Sequence, residues 1–208
     1  MSQVGRAEGN ADWTGSEPQL YELGAASFTA SIPSLLGIYR AAMRPPDDQL
    51  VGRTKIMERH AVVPGFRAVT ATAFAAPIGF AYGFPGRQGQ WWFDIVTEAL
   101  RNQEPSVRAW LWDTFEVAEF HVHPHWQGQG VGRRLLEQLA AARSERTAAL
   151  STYSGESRAR QLYRAYGFVD LLADFHFPGN PTQAFAIMAA PLPLPELPRY
   201  PAADTPPA

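Results

Sequence analysis

At 208 residues, the chain is long enough for one domain with a well-formed core and short for two. Charged residues make up 18% of it and the formal net charge is −2, so no overall basic field indicates nucleic acid or an anionic membrane as its partner. The chain has no cysteine, which excludes a disulfide scaffold, a thiolate metal site and a cysteine nucleophile.

Both ends of the chain differ in composition from its middle. Residues 1–17 are small and polar apart from Trp13, and they predict a flexible arm. Seven prolines in residues 191–208 predict an extended tail without a core of its own. One folded domain is therefore expected over residues 18–190. Since no targeting segment and no membrane span is recognisable, we expect a cytoplasmic location.

The first half of the domain predicts a strand, two helices and an antiparallel hairpin, in that order. Ser31 and Pro33 favour the start of the first helix, as a cap and as a proline in the first turn, and Pro45 ends it. The hairpin is indicated by two β-prone runs with a tight turn between them. The expected elements are residues 20–28, 31–44, 47–62, 66–74 and 78–84.

An insertion of about 30 residues, 85–113, follows the hairpin and is longer than an ordinary connection. It contains a helix pattern up to Leu100 and two aromatic clusters, one at Trp91 and Trp92 and one at residues 110–112. These aromatic side chains could line a binding pocket or could pack the inserted helix onto the core. Both alternatives stay open at this point.

A strand, a glycine-rich turn and a helix form the centre of the chain. Residues 115–122 suit a half-buried strand, and Pro124 forbids its continuation. Alternating glycines in residues 127–132 then expose backbone N–H groups at a helix start, where Arg133 and Arg134 add positive charge. Such a turn binds anions, and a diphosphate group is the ligand that we expect.

Two common phosphate-binding loops do not match these residues. A Walker loop needs lysine and then serine or threonine after its last glycine, whereas Gly132 is followed by Arg133 and Arg134. A dinucleotide-binding fingerprint starting at Gly128 needs glycine or alanine at position 133 and belongs early in a βαβ unit.

The turn instead resembles the acetyl-coenzyme A (acetyl-CoA) loop of the GNAT N-acetyltransferases, through Gln127, Gly130 and Gly132. A later block is similar to the same family's Asn-x-x-Ala-x-x-Leu-Tyr-x-x-x-Gly-Phe helix, although Glu156 replaces the asparagine. The matching residues of this block are Ala159, Leu162, Tyr163, Gly167 and Phe168.

The remaining elements agree with this resemblance. The central helix is expected to end near Arg146, and Ser154 can cap the helix that carries Tyr163. Strands are expected over residues 147–153, 168–177 and 183–191. The resemblance implies the α/β GNAT fold, in which helices flank a mixed, mostly antiparallel central sheet. Its order of elements is βααββ, the insertion, and then βαβαββ.

The resemblance also implies acetyl-CoA as acetyl donor and a small-molecule primary amine as acceptor. The pantetheine arm of the donor would pair with backbone near His121 and Val122, and the Val122 N–H would donate to the thioester oxygen. The loop would hold the pyrophosphate. The implied binding residues are His121, Val122, Gln127, Gly128, Gln129, Gly130, Val131, Gly132 and Arg133.

Three residues are candidates for proton transfer. Tyr163 matches the family's general acid, although it also belongs to an apolar helical stripe and could only pack. Glu116 and Glu119 are the candidates for general base, with Glu116 favoured slightly. Strand alternation places Glu119 with His121, and Glu116 on the other face unless a bulge shifts the register.

A metal site and a non-catalytic module are the alternative interpretations of these residues. His121, His123 and His125 alternate like metal ligands, but Pro124 breaks the strand geometry, so no metal is expected. A non-catalytic acyl-CoA-binding module is the alternative to an enzyme, and Glu156 gives it mild support. Monomer and homodimer are both left open.

Overall fold

The computed structural model describes residues 17–198, so residues 1–16 of the predicted arm and 199–208 of the predicted tail lie outside it. The described part contains seven strands and six helices. The strands are β1 (Gln19–Leu23), β2 (Arg67–Ala73), β3 (Ala76–Pro85), β4 (Thr114–Val122), β5 (Thr147–Tyr153), β6 (Val169–Phe175) and β7 (Phe185–Pro191). The helices are α1 (Ala25–Met43), α2 (Asp47–Ala61), α3 (Trp91–Ala99), α4 (Pro105–Arg108), α5 (Val131–Ala140) and α6 (Arg158–Ala165).

All seven strands form one mixed sheet in the order β1-β2-β3-β4-β5-β7-β6. Neighbouring strands are antiparallel except β4 and β5. These two strands pair in parallel, and only Thr114–Glu116 of β4 and Thr147–Ala149 of β5 take part in the pairing. Beyond these residues β5 continues along β7 to Tyr153. The rest of β4 therefore has an open edge, and the two strands diverge into a wedge. The predicted fold class and element order are confirmed.

Helices cover both faces of the sheet. On one face, α5 and α6 bury an apolar core that includes Leu135, Leu139 and Tyr166. On the other face, α1 and α2 cover the β2–β4 side, where Phe28 and Tyr82 are fully buried. On the same face, the insertion with α3 lies beside α1 and α2 and covers β5 and β7. A sheet buried on both faces explains why apolar residues continue through β3 and β4 with little alternation.

Two predicted helix starts were wrong. Helix α1 begins at Ala25 rather than at Ser31, because Phe28 and Leu35 lie on one buried stripe that extends the helix through Pro33. Helix α6 begins at Arg158 rather than after Ser154, because the Ser157 side chain caps it by accepting a hydrogen bond from the Arg160 N–H at 3.2 Å.

Helix α5 is shorter than predicted. It ends at Ala140, and Ala142 adopts a φ of 54°, which lies in the left-handed region that a right-handed helix cannot include. The predicted end near Arg146 was therefore wrong.

The insertion packs onto the core through α3. Trp92 is 8% exposed and donates a hydrogen bond from Nε1 to Ser151 Oγ at 3.3 Å. Its neighbour Trp91 is exposed and stacks on Phe177 at a ring-centroid distance of 5.4 Å. Trp92 thus has the packing role, whereas Trp91 remains on the surface. None of the helices in residues 17–198 combines the length and hydropathy that crossing a membrane requires.

Candidate active site

Strand β4 carries a β-bulge at Ala118. Glu119 lies opposite Tyr82 on β3, and Val117 lies opposite the next residue, Gly83, so Ala118 has no partner of its own. One extra residue in one strand shifts its alternation by one position.

The bulge brings three ionisable side chains to one face of the sheet. Glu116 lies opposite Phe84, and His121 lies opposite Phe80, both aromatic residues of the core under α1 and α2. Glu119, opposite Tyr82, is on the same face. Of the two registers that the sequence left open, the structure has the bulged one.

Glu119 is held by an arginine and a histidine. Arg53 on α2 donates to Oε1 at 2.5 Å, and His121 Nε2 donates to Oε2 at 2.5 Å. Arg53 also donates to the Tyr39 hydroxyl on α1 at 3.0 Å. Burial alone would raise the pKa of Glu119, but the hydrogen bond from His121 and the charges of His121 and Arg53 lower it overall. Glu119 is therefore a poor proton acceptor.

Glu116 has a contrasting environment. Its side chain is 5% exposed, and Oε2 accepts no hydrogen bond from any residue in the range 17–198. Burial, and then the negative charge of Glu119, raise the pKa of Glu116 to about 8. An orphaned carboxyl oxygen with a pKa near the operating pH suits a general base.

The open edge of β4 presents the Val122 N–H to the wedge. The His123 N–H donates to the Ile78 carbonyl of the β3 side at 2.8 Å. Because N–H groups alternate along a strand, the His121 N–H also points to β3, whereas that of Val122 points away from it. Gln127 Nε2 donates to the Val122 carbonyl at 2.9 Å and so fixes the end of the strand beside the loop.

The glycine loop leads directly into α5. Gly128 and Gly130 have φ values of 78° and 79°, in the region that favours glycine, and Gly130 is the N-cap of the helix. Gln129 Nε2 donates to the His125 carbonyl at 2.7 Å across the turn. The N–H groups of Val131, Gly132 and Arg133 have no acceptor within the helix, since its first backbone hydrogen bond runs from the Arg134 N–H to the Gly130 carbonyl. The structure therefore has the predicted turn and helix start, and the binding of an anion there stays a prediction.

The two arginines after the loop contact the ends of the described chain. Arg133 donates from Nε to Glu137 at 3.0 Å, and its two terminal nitrogens donate to the carbonyls of residues 197–198 at 2.5 and 2.8 Å. Arg134 donates to the Pro18 carbonyl at 2.6 Å. Both guanidinium groups therefore already hold acceptors from the protein itself.

Tyr163 lies on the opposite face of the sheet from Glu116. It is 5% exposed within the core under α5 and α6, and its ring meets those of Phe120 and Phe168 at 5.9 and 5.6 Å. Burial raises the pKa of Tyr163, so its hydroxyl keeps its proton at neutral pH. Phe120 belongs to the open edge of β4, which places Tyr163 beside the wedge.

The alternating histidines do not converge. His121 is bonded to Glu119, whereas His123 and His125 pair with each other at a ring-centroid distance of 5.1 Å. Throughout residues 17–198, no three His, Cys, Asp or Glu side chains lie close enough together to hold a metal ion.

Comparisons with known proteins agree with this geometry. The family model of the acetyltransferase (GNAT) domain matches residues 75–170. A GCN5-like protein acetyltransferase of Mycobacterium tuberculosis, Rv2170, is 32% identical over 203 residues, which cover 84% of this chain and 98% of the relative. The chain belongs to the GNAT acetyltransferase family.

Solved GNAT structures share its fold. The ribosomal-protein-S18-alanine N-acetyltransferase of Escherichia coli has a TM-score of 0.57 at 18% identity, with 88% of this chain and 99% of that chain covered. The PaiA N-acetyltransferase of Thermoplasma acidophilum, solved in complex with coenzyme A, has a TM-score of 0.53 at 12% identity, with coverages of 84% and 99%.

In this GNAT acetyltransferase, Arg53 and Tyr39 were not predicted as site residues from the sequence. A signal for Arg53 exists, because it shares a helix face with Met57 and Ala61, both buried, at spacings of four and eight residues. A charged residue on a buried stripe needs a buried partner. That partner, Glu119, is 66 residues away and could not be named from helix spacing.

Proposed function

We propose that this GNAT acetyltransferase transfers an acetyl group from acetyl-CoA to a primary amine by direct attack within a ternary complex. The observation that carries the proposal is the wedge between β4 and β5, with Glu116 on one face of the sheet and Tyr163 on the other. A base and an acid on opposite sides of one gap suit a reaction in which the amine and the thioester meet through it.

The loop fits the donor. Gly128 and Gly130 bring bare backbone to the start of α5, and the open edge of β4 offers N–H and carbonyl groups for an extended amide chain. In this proposal, residues 127–132 hold the pyrophosphate, and Val122 lies next to the reacting carbonyl.

Each residue then has one task. Acetyl-CoA supplies a thioester: the amine nitrogen forms a bond to its carbonyl carbon, and the bond from that carbon to sulfur breaks. Glu116 Oε2 takes the amine proton, directly or through one water. The Val122 N–H stabilises the negative charge that develops on the carbonyl oxygen. Tyr163 protonates the leaving thiolate and regains its proton from solvent.

The acceptor that we propose is a small-molecule amine on a slender, unbranched chain. Glu116 is 5% exposed and lies between Phe84 of β3 and Ala149 of β5, so the amine must reach a buried carboxyl. A lysine side chain has the same slender shape. Because the 32% identical relative is named a protein acetyltransferase, a protein amine is the second candidate.

The test is an acetyl transfer assay with acetyl-CoA and two acceptor panels, one of primary amines such as diamines and amino acids, and one of lysine-containing and free N-terminal peptides. Thiol release and the mass of the product are measured together. We expect acetylated small amines; acetylation of peptides alone would favour the second candidate. Absence of transfer to every acceptor would contradict the proposed reaction.

A further inference from the structure

Arg158, the first residue of α6, lies against the glycine loop. A Cβ atom built on Gly128 would be 3.2 Å from Arg158 Nη1 and 3.9 Å from its Cζ. The helices are in contact one turn further on, where a Cβ on Gly132 would meet Leu162 at 3.5 Å. The guanidinium group therefore reaches the start of α5 from the neighbouring helix.

Arg158 differs from the other arginines near the loop. Arg133 and Arg134 donate to backbone carbonyls of the two ends of the described chain, and Arg160 and Arg164 pair with Asp170 on β6. Within residues 17–198, by contrast, no hydrogen bond or ion pair engages the Arg158 side chain, which is exposed. It is an available cation beside an anion-binding turn.

The acidic residue nearest to it in sequence does not neutralise it. Glu156 accepts a hydrogen bond from Arg164 Nη1 at 2.7 Å. That contact directs the carboxylate to the second turn of α6. The replacement of the family's asparagine by Glu156 thus leaves the charge of Arg158 available to a ligand.

We propose that Arg158 binds the diphosphate of coenzyme A, together with the backbone N–H groups of residues 127–132; this assignment rests on the proposed function. A guanidinium group presents two parallel N–H donors that match two phosphate oxygens, and it remains charged at every working pH. Its position next to Gly128 assigns it to the group held by the loop rather than to the 3′-phosphate of the ribose.

The experiment measures dissociation constants for coenzyme A and 3′-dephospho-coenzyme A by titration calorimetry, without acceptor or turnover. Arg158→Gln should weaken both ligands by about 10- to 100-fold, since a charged hydrogen bond contributes roughly 1.5–3 kcal/mol. Arg158→Lys, which keeps the charge and loses the fork, should weaken both less. Arg101→Gln, the same charge change at an exposed residue of the insertion, is the matched control and should leave both constants unchanged.

Three results would overturn the assignment. Wild-type affinity in Arg158→Gln would show that Arg158 does not contribute to binding. A loss of affinity for coenzyme A but not for 3′-dephospho-coenzyme A would show that Arg158 binds the 3′-phosphate instead. A lowered unfolding midpoint of the unliganded variant, together with weaker binding, would make its role structural. If the wild type binds neither ligand, the proposed function itself fails, which is a different outcome from a variant that binds as well as the wild type.

Discussion

At the scale of single residues, the two faces of the wedge hold groups whose protons are suited to opposite tasks. Glu116 has a raised pKa of about 8 and a buried oxygen without a partner among the described residues, so its ionised form, which predominates above pH 8, is a stronger base than an ordinary carboxylate. Tyr163 has its pKa raised by burial, so its hydroxyl is protonated at neutral pH and has a proton to donate to a thiolate formed beside it. Burial raises both pKa values, so the chemical difference between a carboxyl and a phenol separates the base from the acid.

Replacing Tyr163 by phenylalanine tests its proposed role as the general acid. Tyr163→Phe removes one oxygen and keeps the ring contacts with Phe120 and Phe168. We expect kcat to fall roughly 100-fold while the dissociation constant for acetyl-CoA stays the same, because only proton donation is lost. Steady-state kinetics and titration calorimetry measure the two quantities.

Tyr166→Phe is the matched control for that change. Tyr166 lies on the same helical stripe and is fully buried, but its hydroxyl donates to Glu137 on α5. This variant should lose some stability and keep its turnover. Equal turnover in both variants and the wild type would return Tyr163 to a packing role.

At the scale of elements, the connection between β4 and α5 unites the strand edge with the anion-binding turn. Gln127 ties the loop to the last carbonyl of β4, and Gly130 caps the helix in a left-handed conformation. The proposed donor site thus consists of a strand end, a turn and a helix start that follow one another directly. For this reason it was recognisable from the sequence.

Gly130→Ala tests this connection. A Cβ there meets no atom within 4 Å, so no clash is expected, but a φ of 79° costs an alanine about 1 kcal/mol. We expect the free energy of unfolding to fall by about that amount and the affinity for coenzyme A to fall about 10-fold, as strain and the added methyl group disturb the N–H groups.

The control is Gly24→Ala, at the N-cap of α1, where φ is −67° and the space is also open. Urea unfolding and titration calorimetry should show little change in that variant. Unchanged coenzyme A affinity in Gly130→Ala would argue against the loop as the diphosphate site.

At the scale of the whole molecule, burying Glu116 links global stability to pH. Its pKa in the folded protein, about 8, is above the ordinary value of 4.5. Between these values the unfolded chain releases a proton that the folded protein keeps, so the free energy of unfolding falls as pH rises. The dependence ends above pH 8, where both states are charged.

Glu116→Gln removes this dependence. The variant should gain stability relative to the wild type as pH rises from 5 to 9, by an amount on the order of 4 kcal/mol, because it never buries a charge at this position. Urea unfolding at several pH values measures the difference. A constant difference across this range would show that Glu116 has an ordinary pKa.

Glu119→Gln should behave differently. It weakens the contacts to Arg53 and His121, so it should destabilise the protein at neutral pH, where the pair is intact. The changes in the free energy of unfolding that we expect for the two variants have opposite signs. They distinguish a carboxyl that lacks a partner from one that is held by two.

The sequence by itself determined the order of elements and the glycine loop, because these depend on local spacing and turn chemistry. Its resemblance to the GNAT family, rather than spacing, singled out Tyr163, Glu116 and Val122 as candidate residues. Only the tertiary structure decided that Glu116 shares a face with Glu119, since a bulge depends on how β4 pairs with β3. It also decided that Arg158 lies beside Gly128 and that Arg133 donates to the carbonyls of Leu197 and Pro198. These contacts join residues 30 to 65 positions apart, and no local periodicity carries information about such distances.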